Sequence, residues 1–323
     1  MTATSTTPPT RTPSRPTAPR APWLPLAAAG LTLVLWASAF VGIRHLGESV
    51  SPGALSLSRL TVMVVAVLAL MRFRPRRLPN RSEWVLIAVG GAAWFGVYNL
   101  ALNESERRID AATAALLVQI GPIMVGLLAA LFLGERITRW LVGGMAVGFA
   151  GVVLIGRASS SSDNGDLVGV LLAVVAALTF AIGVLTQKKL LPTINALDLT
   201  FWYAVVGWVV CLPWAGTTVR ELSDASADTW LWILYLGVFP SAIAFVAWAY
   251  ALSHANAGTF AQSTFLVPFI TALMAWVLLD EVPPALAFVG GAMCIAGVLV
   301  SRRTPRPAQP AVEPVGDATG SVD

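Results

Sequence analysis

The chain has 323 residues, of which 56% are hydrophobic and only 12% are charged, and its formal net charge is +4. This composition excludes an ordinary soluble domain, in which roughly one-quarter of the residues are charged. The basic residues are spread between apolar segments instead of forming one patch, which argues against a nucleic-acid partner.

Apolar segments of about 17–24 residues recur along the chain, and each could cross a hydrocarbon core of about 30 Å as a helix. A helix is favoured because a lone strand would leave its peptide groups without hydrogen bonds in lipid. We therefore predict an all-α polytopic membrane protein with ten transmembrane helices. Their predicted bounds are 24–43, 53–71, 84–102, 111–133, 139–156, 167–187, 199–217, 230–252, 257–279 and 284–301.

The second half of the chain repeats the first at a distance of 146 residues. When Ala111–Arg157 is aligned with Ala257–Arg303 without a gap, about fourteen of the 47 positions are identical. Composition alone produces many Leu and Ala matches, but it does not place Pro122 on Pro268 or Glu135 on Glu281. The chain is therefore predicted to hold two copies of one five-helix unit. The predicted organisation is a disordered tail at 1–22, units at 23–157 and 166–303, a linker at 158–165, and a second disordered tail at 304–323.

The basic residues predict the orientation of the helices. With the N-terminus in the cytoplasm, fifteen Lys and Arg residues lie inside and six lie outside, and the densest group is Arg72–Arg81. This asymmetry predicts that both tails lie in the cytoplasm. The protein itself is expected in the inner or plasma membrane of the cell. Because five is an odd number, the second unit enters the membrane in the opposite sense. Inverted repeats of this kind are typical of secondary transporters, whose substrate site lies near the midplane between the halves.

Several short motifs occur in a characteristic order and spacing. They are Leu35–Phe40, Ser58–Leu60, Pro122 followed by Leu133–Arg136, Gly148 with Ala150–Gly151, and Pro268 followed by Asp280–Glu281 and Ala296–Gly297. In these motifs the sequence resembles EamA-type permeases of the drug/metabolite transporter superfamily, over about residues 24–303. The resemblance implies export, or less often uptake, of small metabolites such as amino acids, or of drugs. The turn at Asp280–Pro284 departs from the Gly-Glu pattern, which puts a shared role of the two turns in doubt.

Arg59 is the formally charged side chain that lies clearly inside a predicted span. Burying an arginine costs about 2.5–3.5 kcal/mol on insertion scales, so the side chain should be paired, solvated or functional. It either faces a central cavity and binds a substrate carboxylate, or extends outward to the membrane surface.

Aromatic and polar side chains in the middle of the spans are further candidates for substrate binding. The aromatic candidates could form a cavity wall that stacks on an organic substrate, or could pack in the core. The amides need partners in lipid and should face inward, for substrate contact or for hydrogen bonds between helices. These candidates are Trp36, Ser38, Trp94, Tyr98, Asn99, Gln119, Trp202, Tyr203, Trp248, Tyr250 and Gln262.

Prolines and glycines predict helix breaks and close helix packing. Pro122 and Pro268 each remove a backbone hydrogen bond within a span, which produces either a bend that alternates access or a static kink. A face of small residues recurs in the fifth and tenth predicted helices and favours close contact between them. Its glycines are Gly144, Gly148, Gly151, Gly290 and Gly297.

The turn residues Glu135 and Glu281 are expected to cap helices or to be solvated, with gating as the alternative. No Asp or Glu lies within a predicted span, which disfavours carboxylate-coupled proton antiport. Facilitated diffusion, or coupling through ligands that the residues do not reveal, fits better. A neutral, zwitterionic or anionic substrate is then favoured over a strongly cationic drug.

The expected function is that of a secondary transporter that exports small metabolites by alternating access and requires no cofactor, metal or ATP. A multidrug exporter of the same fold is the alternative, and an intramembrane enzyme is a rival from another class. No phosphate-binding loop, HExxH pair or GxSxG elbow is present in the sequence. The expected partners are the small-molecule substrate and the lipid bilayer, with the protein a monomer or a weak homodimer.

Overall fold

The computed structural model of the protein describes residues 23–47, 49–72, 78–108, 117–159, 166–279 and 285–303. Over these residues the regular structure is helical, and we number ten helices in chain order. They are α1 (Leu24–Leu46), α2 (Pro52–Met71), α3 (Arg81–Arg108), α4 (Gly121–Leu133), α5 (Arg139–Ser159), α6 (Leu167–Leu190), α7 (Ala196–Ser223), α8 (Ala227–Ser253), α9 (Ala257–Ala261, Gln262–Leu266 and Val267–Leu279) and α10 (Ala285–Ser301).

Seven of the described helices are long and apolar enough to cross a membrane by length and composition, and α4, α5 and α10 are shorter apolar helices. The prediction of an all-α polytopic membrane protein with ten helices in two inverted halves is therefore confirmed. Since ten is an even number, α1 begins on the side of the membrane where α10 ends. We call this the near side, and the opposite one the far side. The predicted tails lie outside the described residues.

Two helices exceed their predicted length by nine residues each, more than any other helix. Helix α3 was expected over 84–102, but it begins at Arg81 and continues to Arg108. Its start is fixed by a capping box, in which the Asn80 side chain accepts a bond from the Glu83 N–H and the Glu83 carboxylate accepts one from the Asn80 N–H. Helix α7 was expected over 199–217, but a short 3₁₀ segment at Leu212–Trp214 carries the chain past the proline, and the helix ends at Ser223.

The 146-residue repeat is reproduced in the backbone. A π-helical segment interrupts α3 at Gly91–Val97, and another interrupts α8 at Gly237–Ile243, at an offset of 146 residues at both ends. In α8 the interruption contains Pro240, which has no N–H to donate. In α3 it begins at a pair of adjacent glycines. Such π segments are frequent at functional sites, and here they fall in the middle of the third helix of each half.

The two halves pack against each other in reciprocal pairs. Helix α1 packs on α8 and α9, and its equivalent α6 packs on α3 and α4. Likewise α2 packs on α8, while α7 packs on α3. Equivalent helices also meet directly, as α2 with α7, α4 with α9, and α5 with α10. This pattern is that of a pseudo-twofold axis lying between the halves.

Helices α5 and α10 are in backbone contact through their glycines. A Cβ atom added at Gly144 would lie 2.5 Å from the carbonyl oxygen of Gly297, and one added at Gly151 would lie 2.5 Å from that of Gly290. Gly148 differs, because an added Cβ would first meet the ring of Phe265 in α9, at 2.6 Å. The glycine face therefore joins α5 to α10 as predicted, and at Gly148 it also accommodates α9.

We predict that Gly144→Ala lowers the melting temperature of the purified protein, because the new methyl group meets backbone atoms that have no rotamer to change. Overpacking of this kind costs about 1–3 kcal/mol. Gly143→Ala is the matched control, since a Cβ there has nothing within 4 Å. Thermal melts in detergent measure both, and equal melting temperatures for the two variants would contradict this account of the contact.

Candidate substrate site between the two halves

A small, partly open pocket lies between α2, α3 and α8. Its lining residues are Ser56, Arg59, Leu60, Met63, Phe95, Asn99, Ser241 and Phe245. Four of them are two equivalent pairs at the 146-residue offset, since Phe95 corresponds to Ser241 and Asn99 to Phe245. The pocket is therefore next to the pseudo-twofold axis, between the halves, and each pair contributes one aromatic and one polar side chain.

Arg59 provides the positive charge of this pocket. It lies seven residues from the far-side start of α2, which is about 10 Å along the helix. Its guanidinium does not reach back to that surface, because Nη2 donates to Ser241 Oγ in the middle of α8, at 3.4 Å. Of the two interpretations of Arg59, the described side-chain contact agrees with the cavity-facing one. Its Nε atom is buried and has no hydrogen-bond partner in the part of the chain that the structure describes.

The π segments orient the polar side chains of the pocket. The hydroxyl of Ser241 donates to the Leu236 carbonyl, five residues earlier, at 2.7 Å. The amide nitrogen of Asn99 donates to the Phe95 carbonyl at 2.9 Å. Each of these side chains thus satisfies a backbone carbonyl of its own interrupted helix. Their remaining acceptor capacity faces the pocket, because an amide and a hydroxyl each keep free lone pairs.

A layer of seven aromatic side chains fills the space from the pocket towards the near side, and we call it the aromatic layer. It consists of Trp36, Trp94, Phe95, Phe180, Phe245, Trp248 and Phe260. Phe245 joins it to the pocket, with its ring centroid 5.3 Å from that of Trp36 and 5.2 Å from that of Trp94. Trp248 continues it, at 4.8 Å from Trp36 and 4.5 Å from Phe260. In this conformation the aromatic layer closes the path between the pocket and the near side.

Several buried polar atoms lack hydrogen-bond partners among the described residues. They include the indole N–H groups of Trp36 and Trp248 and the Oε1 atom of Gln262. Gln187, on α6, has neither amide atom satisfied although the residue is fully buried. Buried polar groups are almost always paired, so such atoms are places where a polar solute can bind.

The regular α-helix is interrupted beside each of the two prolines. Pro268 has no N–H to donate to the Thr264 carbonyl, and residues Gln262–Leu266 form a 3₁₀ segment just before it. The amide nitrogen of Gln119, on the first half, donates to that carbonyl at 3.1 Å. Gln119 itself lies in a turn, and α4 proper begins at Gly121 with Pro122 as its second residue. Gln119 is therefore an interhelical hydrogen-bond donor here, whereas the Gln262 amide nitrogen bonds within its own helix to Gly258 at 3.3 Å.

The near side is held closed by Glu135. Gly134 ends α4 in the left-handed conformation, with φ of 68°, and the following Glu135 turns towards α9. Its carboxylate accepts bonds from the N–H groups of Ala257 at 2.6 Å and Gly258 at 3.0 Å. Asn256, at the N-cap position, makes no side-chain cap bond. The acidic residue of the first half thus caps the first turn of a helix in the second half.

Lys188 on α6 contacts the turn that connects α8 to α9. Its ammonium group donates to the carbonyls of Leu252, at 2.9 Å, and Ala255, at 2.5 Å. A cation at the end of α8 and an anion at the start of α9 both complement the helix dipoles. We call these contacts of Glu135 and Lys188 with the α8–α9 turn the near-side latch.

The structure does not bring all predicted candidates to the pocket. Trp202 packs on Trp84 near the exposed surface, with ring centroids 4.8 Å apart. Tyr203 is fully buried, and its hydroxyl donates to Thr186 Oγ1 at 2.8 Å. Tyr250 contacts the ring of His254 at the end of α8. These three side chains have structural contacts outside the pocket.

Ser38 and Tyr98 lie closer to the pocket without lining it. The Ser38 hydroxyl is hydrogen-bonded to the Tyr235 hydroxyl at 2.7 Å. Tyr98 is partly buried, packs on Phe180, and lies close enough to Arg59 for their charges to interact. Ser56, Met63 and Ser241 could not be identified from the sequence, because single serines and methionines are common in apolar helices.

The expectation that no acidic residue lies within a span is wrong. Glu106 belongs to α3 because that helix continues to Arg108. Glu83 and Asp198 are buried in the first turns of α3 and α7, where both take part in helix capping. Over the described residues no group of three or more His, Cys, Asp or Glu side chains could hold a metal ion.

Two inverted halves with a pocket between them are typical of membrane transporters. The chain belongs to the EamA-like transporter family, whose pattern matches residues 23–157 and 167–303.

Individual relatives agree with this assignment. The chain is 39% identical over 275 residues to a "Probable terminal-alkyne amino-acid exporter" of Streptantibioticus cattleyicolor, covering 85% of this chain and 92% of that one. It is 31% identical over 273 residues to an uncharacterized transporter of Bacillus subtilis, covering 83% and 87%. It is 23% identical over 280 residues to a "Probable amino-acid metabolite efflux pump" of Escherichia coli, covering 84% and 92%. A crystal structure with 19% identity shares the fold, with a TM-score of 0.73 over 86% of this chain and 97% of the other.

We predict that Glu135→Gln lowers the melting temperature. The neutral amide of glutamine has one acceptor oxygen instead of two and no negative charge to offer the two N–H groups at the start of α9. Losing a helix cap costs about 0.5–2 kcal/mol. Glu104→Gln is the control, since Glu104 is part of a surface cluster with Arg107 and Arg108. Thermal melts of the two variants measure the difference, and an unchanged melting temperature for Glu135→Gln would exclude a stabilising cap.

Proposed function

We propose that the protein exports small neutral α-amino acids across the cell membrane by alternating access, driven by solute gradients without ATP. The observation that carries this proposal is the pocket beside the pseudo-twofold axis, in which a partly unsatisfied arginine lies above an aromatic floor. A guanidinium is suited to bind a carboxylate with two parallel hydrogen bonds. The phenyl rings of Phe95 and Phe245 and the side chain of Met63 are suited to an apolar side chain.

The pocket is nearly closed in this conformation and has room for about one water molecule. A substrate therefore binds only after the surrounding helices move apart, and the charge of the pocket is a better guide to the substrate than its size. Its charged lining residue is positive, which opposes a cationic drug. The multidrug alternative is therefore less well supported than an amino acid or a similar carboxylate. The names of two relatives refer to amino-acid export, and this class of substrate is proposed here for the present chain.

The excess of Lys and Arg on the near side supports a cytoplasmic near side, with both chain ends there. In this orientation the near-side latch and the aromatic layer close the pocket from the cytoplasm. Loading from the cytoplasm then requires Glu135 to leave the α9 N-terminus and the aromatic layer to open. The breaks beside Pro122 and Pro268, on the two helices α4 and α9 that meet there, supply the bends for this movement.

The test is counterflow in proteoliposomes that contain the purified full-length protein. The vesicles are preloaded with 2-aminopent-4-ynoate, an amino acid with a terminal alkyne, or with leucine, and uptake of the labelled compound is followed. We expect uptake above that of protein-free vesicles for at least one probe. Failure to exchange either probe would overturn the proposed substrate class.

We predict that Arg59→Ala reduces this counterflow at least about tenfold while the protein remains inserted, because losing a buried charged partner of a carboxylate costs about 2–5 kcal/mol. Arg220→Ala is the control, because Arg220 is exposed and bonds only to neighbouring groups of its own helix. Initial rates at equal protein content measure the effect. Counterflow by Arg59→Ala at the wild-type rate would contradict carboxylate binding at Arg59.

A further inference from the structure

Glu106 lies beyond residue 102, the predicted end of the third helix, in a stretch that was expected to be a loop. The polar stretch from Asn103 to Arg108 continues α3 by one and a half turns beyond the predicted end at 102. The Ser105 hydroxyl anchors this extension to α6 through a bond of 2.8 Å to the Gly169 carbonyl. The side chain of Glu106 is consequently only partly exposed, within a helix that crosses the membrane region.

The face of α3 that carries Glu106 also lines the pocket. Phe95, Asn99, Asn103 and Glu106 follow each other at intervals of four, four and three residues, so they share one side of the helix. Phe95 and Asn99 line the pocket itself. Asn103 faces α2, because its amide nitrogen donates to the hydroxyl of Ser56 at 3.0 Å. Glu106 therefore lies about one turn beyond that contact, towards the far side.

Glu106 and Arg59 are oppositely charged groups that influence each other without forming an ion pair. Glu106 interacts electrostatically with Arg59 and with Tyr98. Within the described part of the chain, however, the Glu106 carboxylate has neither a hydrogen bond nor a salt bridge. Glu104, two residues away, contrasts with it, because Arg108 donates to its carboxylate at 2.9 Å. Charged groups in a partly desolvated site are costly unless something completes their interactions.

We propose that Glu106 recognises the ammonium group of the transported amino acid, whose carboxylate is bound by Arg59. This inference rests on the proposed function and adds a specificity residue to it. A zwitterion is the complement of one fixed cation and one fixed anion on adjoining helices. The arrangement would select amino acids over simple carboxylates, because an analogue without the ammonium group leaves Glu106 without its partner.

The test compares competitors of the same shape in the counterflow assay. Three unlabelled compounds compete with labelled 2-aminopent-4-ynoate: the amino acid itself, its 2-hydroxy analogue, which lacks the positive charge, and its amide, which lacks the negative charge. The proteins compared are the wild type, Glu106→Gln, Glu106→Asp and the control Glu104→Gln. Melting temperatures are recorded for every variant.

For the wild type and Glu104→Gln we expect the amino acid to compete at least about tenfold better than either analogue. In Glu106→Gln the preference over the hydroxy analogue should fall to about threefold or less, while the preference over the amide remains. Glu106→Asp should retain a larger share of the first preference than Glu106→Gln does, because it keeps the charge. A purely structural role would weaken both preferences equally or only lower the melting temperature.

Two results would overturn the inference, and they differ in what else they affect. If the wild type exchanges the probe but Glu106→Gln keeps the full preference over the hydroxy analogue, Glu106 does not bind the ammonium group, and the proposed function stands. If the wild type exchanges neither amino-acid probe, the proposed function and the role of Glu106 fail together. Should Glu106→Gln be too unstable to assay, Glu106→Ala, which also removes the charge, replaces it and is judged by the same ratio.

Discussion

In a hydrocarbon environment each backbone group released by a break in a helix needs a new partner, and this protein is organised around that constraint. Its helices are interrupted next to the central pocket, and polar side chains satisfy the groups concerned. Gln119 of the first half bonds the carbonyl that Pro268 leaves free in the second. Glu135 caps α9 across the same boundary, and Thr32 on α1 donates to the Ala244 carbonyl of α8 at 3.1 Å. Breaks in one half are thus supported by the other half.

The mixture of polar and aromatic side chains in the pocket depends on residues that differ between the two similar halves. The backbone follows the repeat closely, with π segments at equivalent places in α3 and α8. The side chains at those places differ, because Phe95 is matched by Ser241 and Asn99 by Phe245. A symmetric set would have placed like side chains at equivalent positions on the two sides of the axis. The exchange of one aromatic for one polar residue in each pair gives a pocket with an apolar floor and a polar wall.

The architecture could be predicted from the sequence because proline, glutamate and glycine recur at a fixed distance in apolar helices. The sequence was less informative about which side of each helix faces the centre. A helix that is apolar all round has no amphipathic stripe to orient it, so Trp202 and Trp248 could not be distinguished, although one lies near the surface and the other is fully buried. Glu106 was missed for a related reason. The segment Asn103–Arg108 has the composition of a loop, and its helical state depends on tertiary contacts such as the bond from Ser105 to Gly169.

The contact between α5 and α10 has a consequence for motion. Where Gly144 meets Gly297 and Gly151 meets Gly290, main-chain atoms touch without intervening side chains. Side chains can change rotamers to let two helices slide, but main-chain atoms in direct contact cannot. We expect α5 and α10 to keep this contact when one half rocks against the other, so that the displacement grows with distance from this pair of helices.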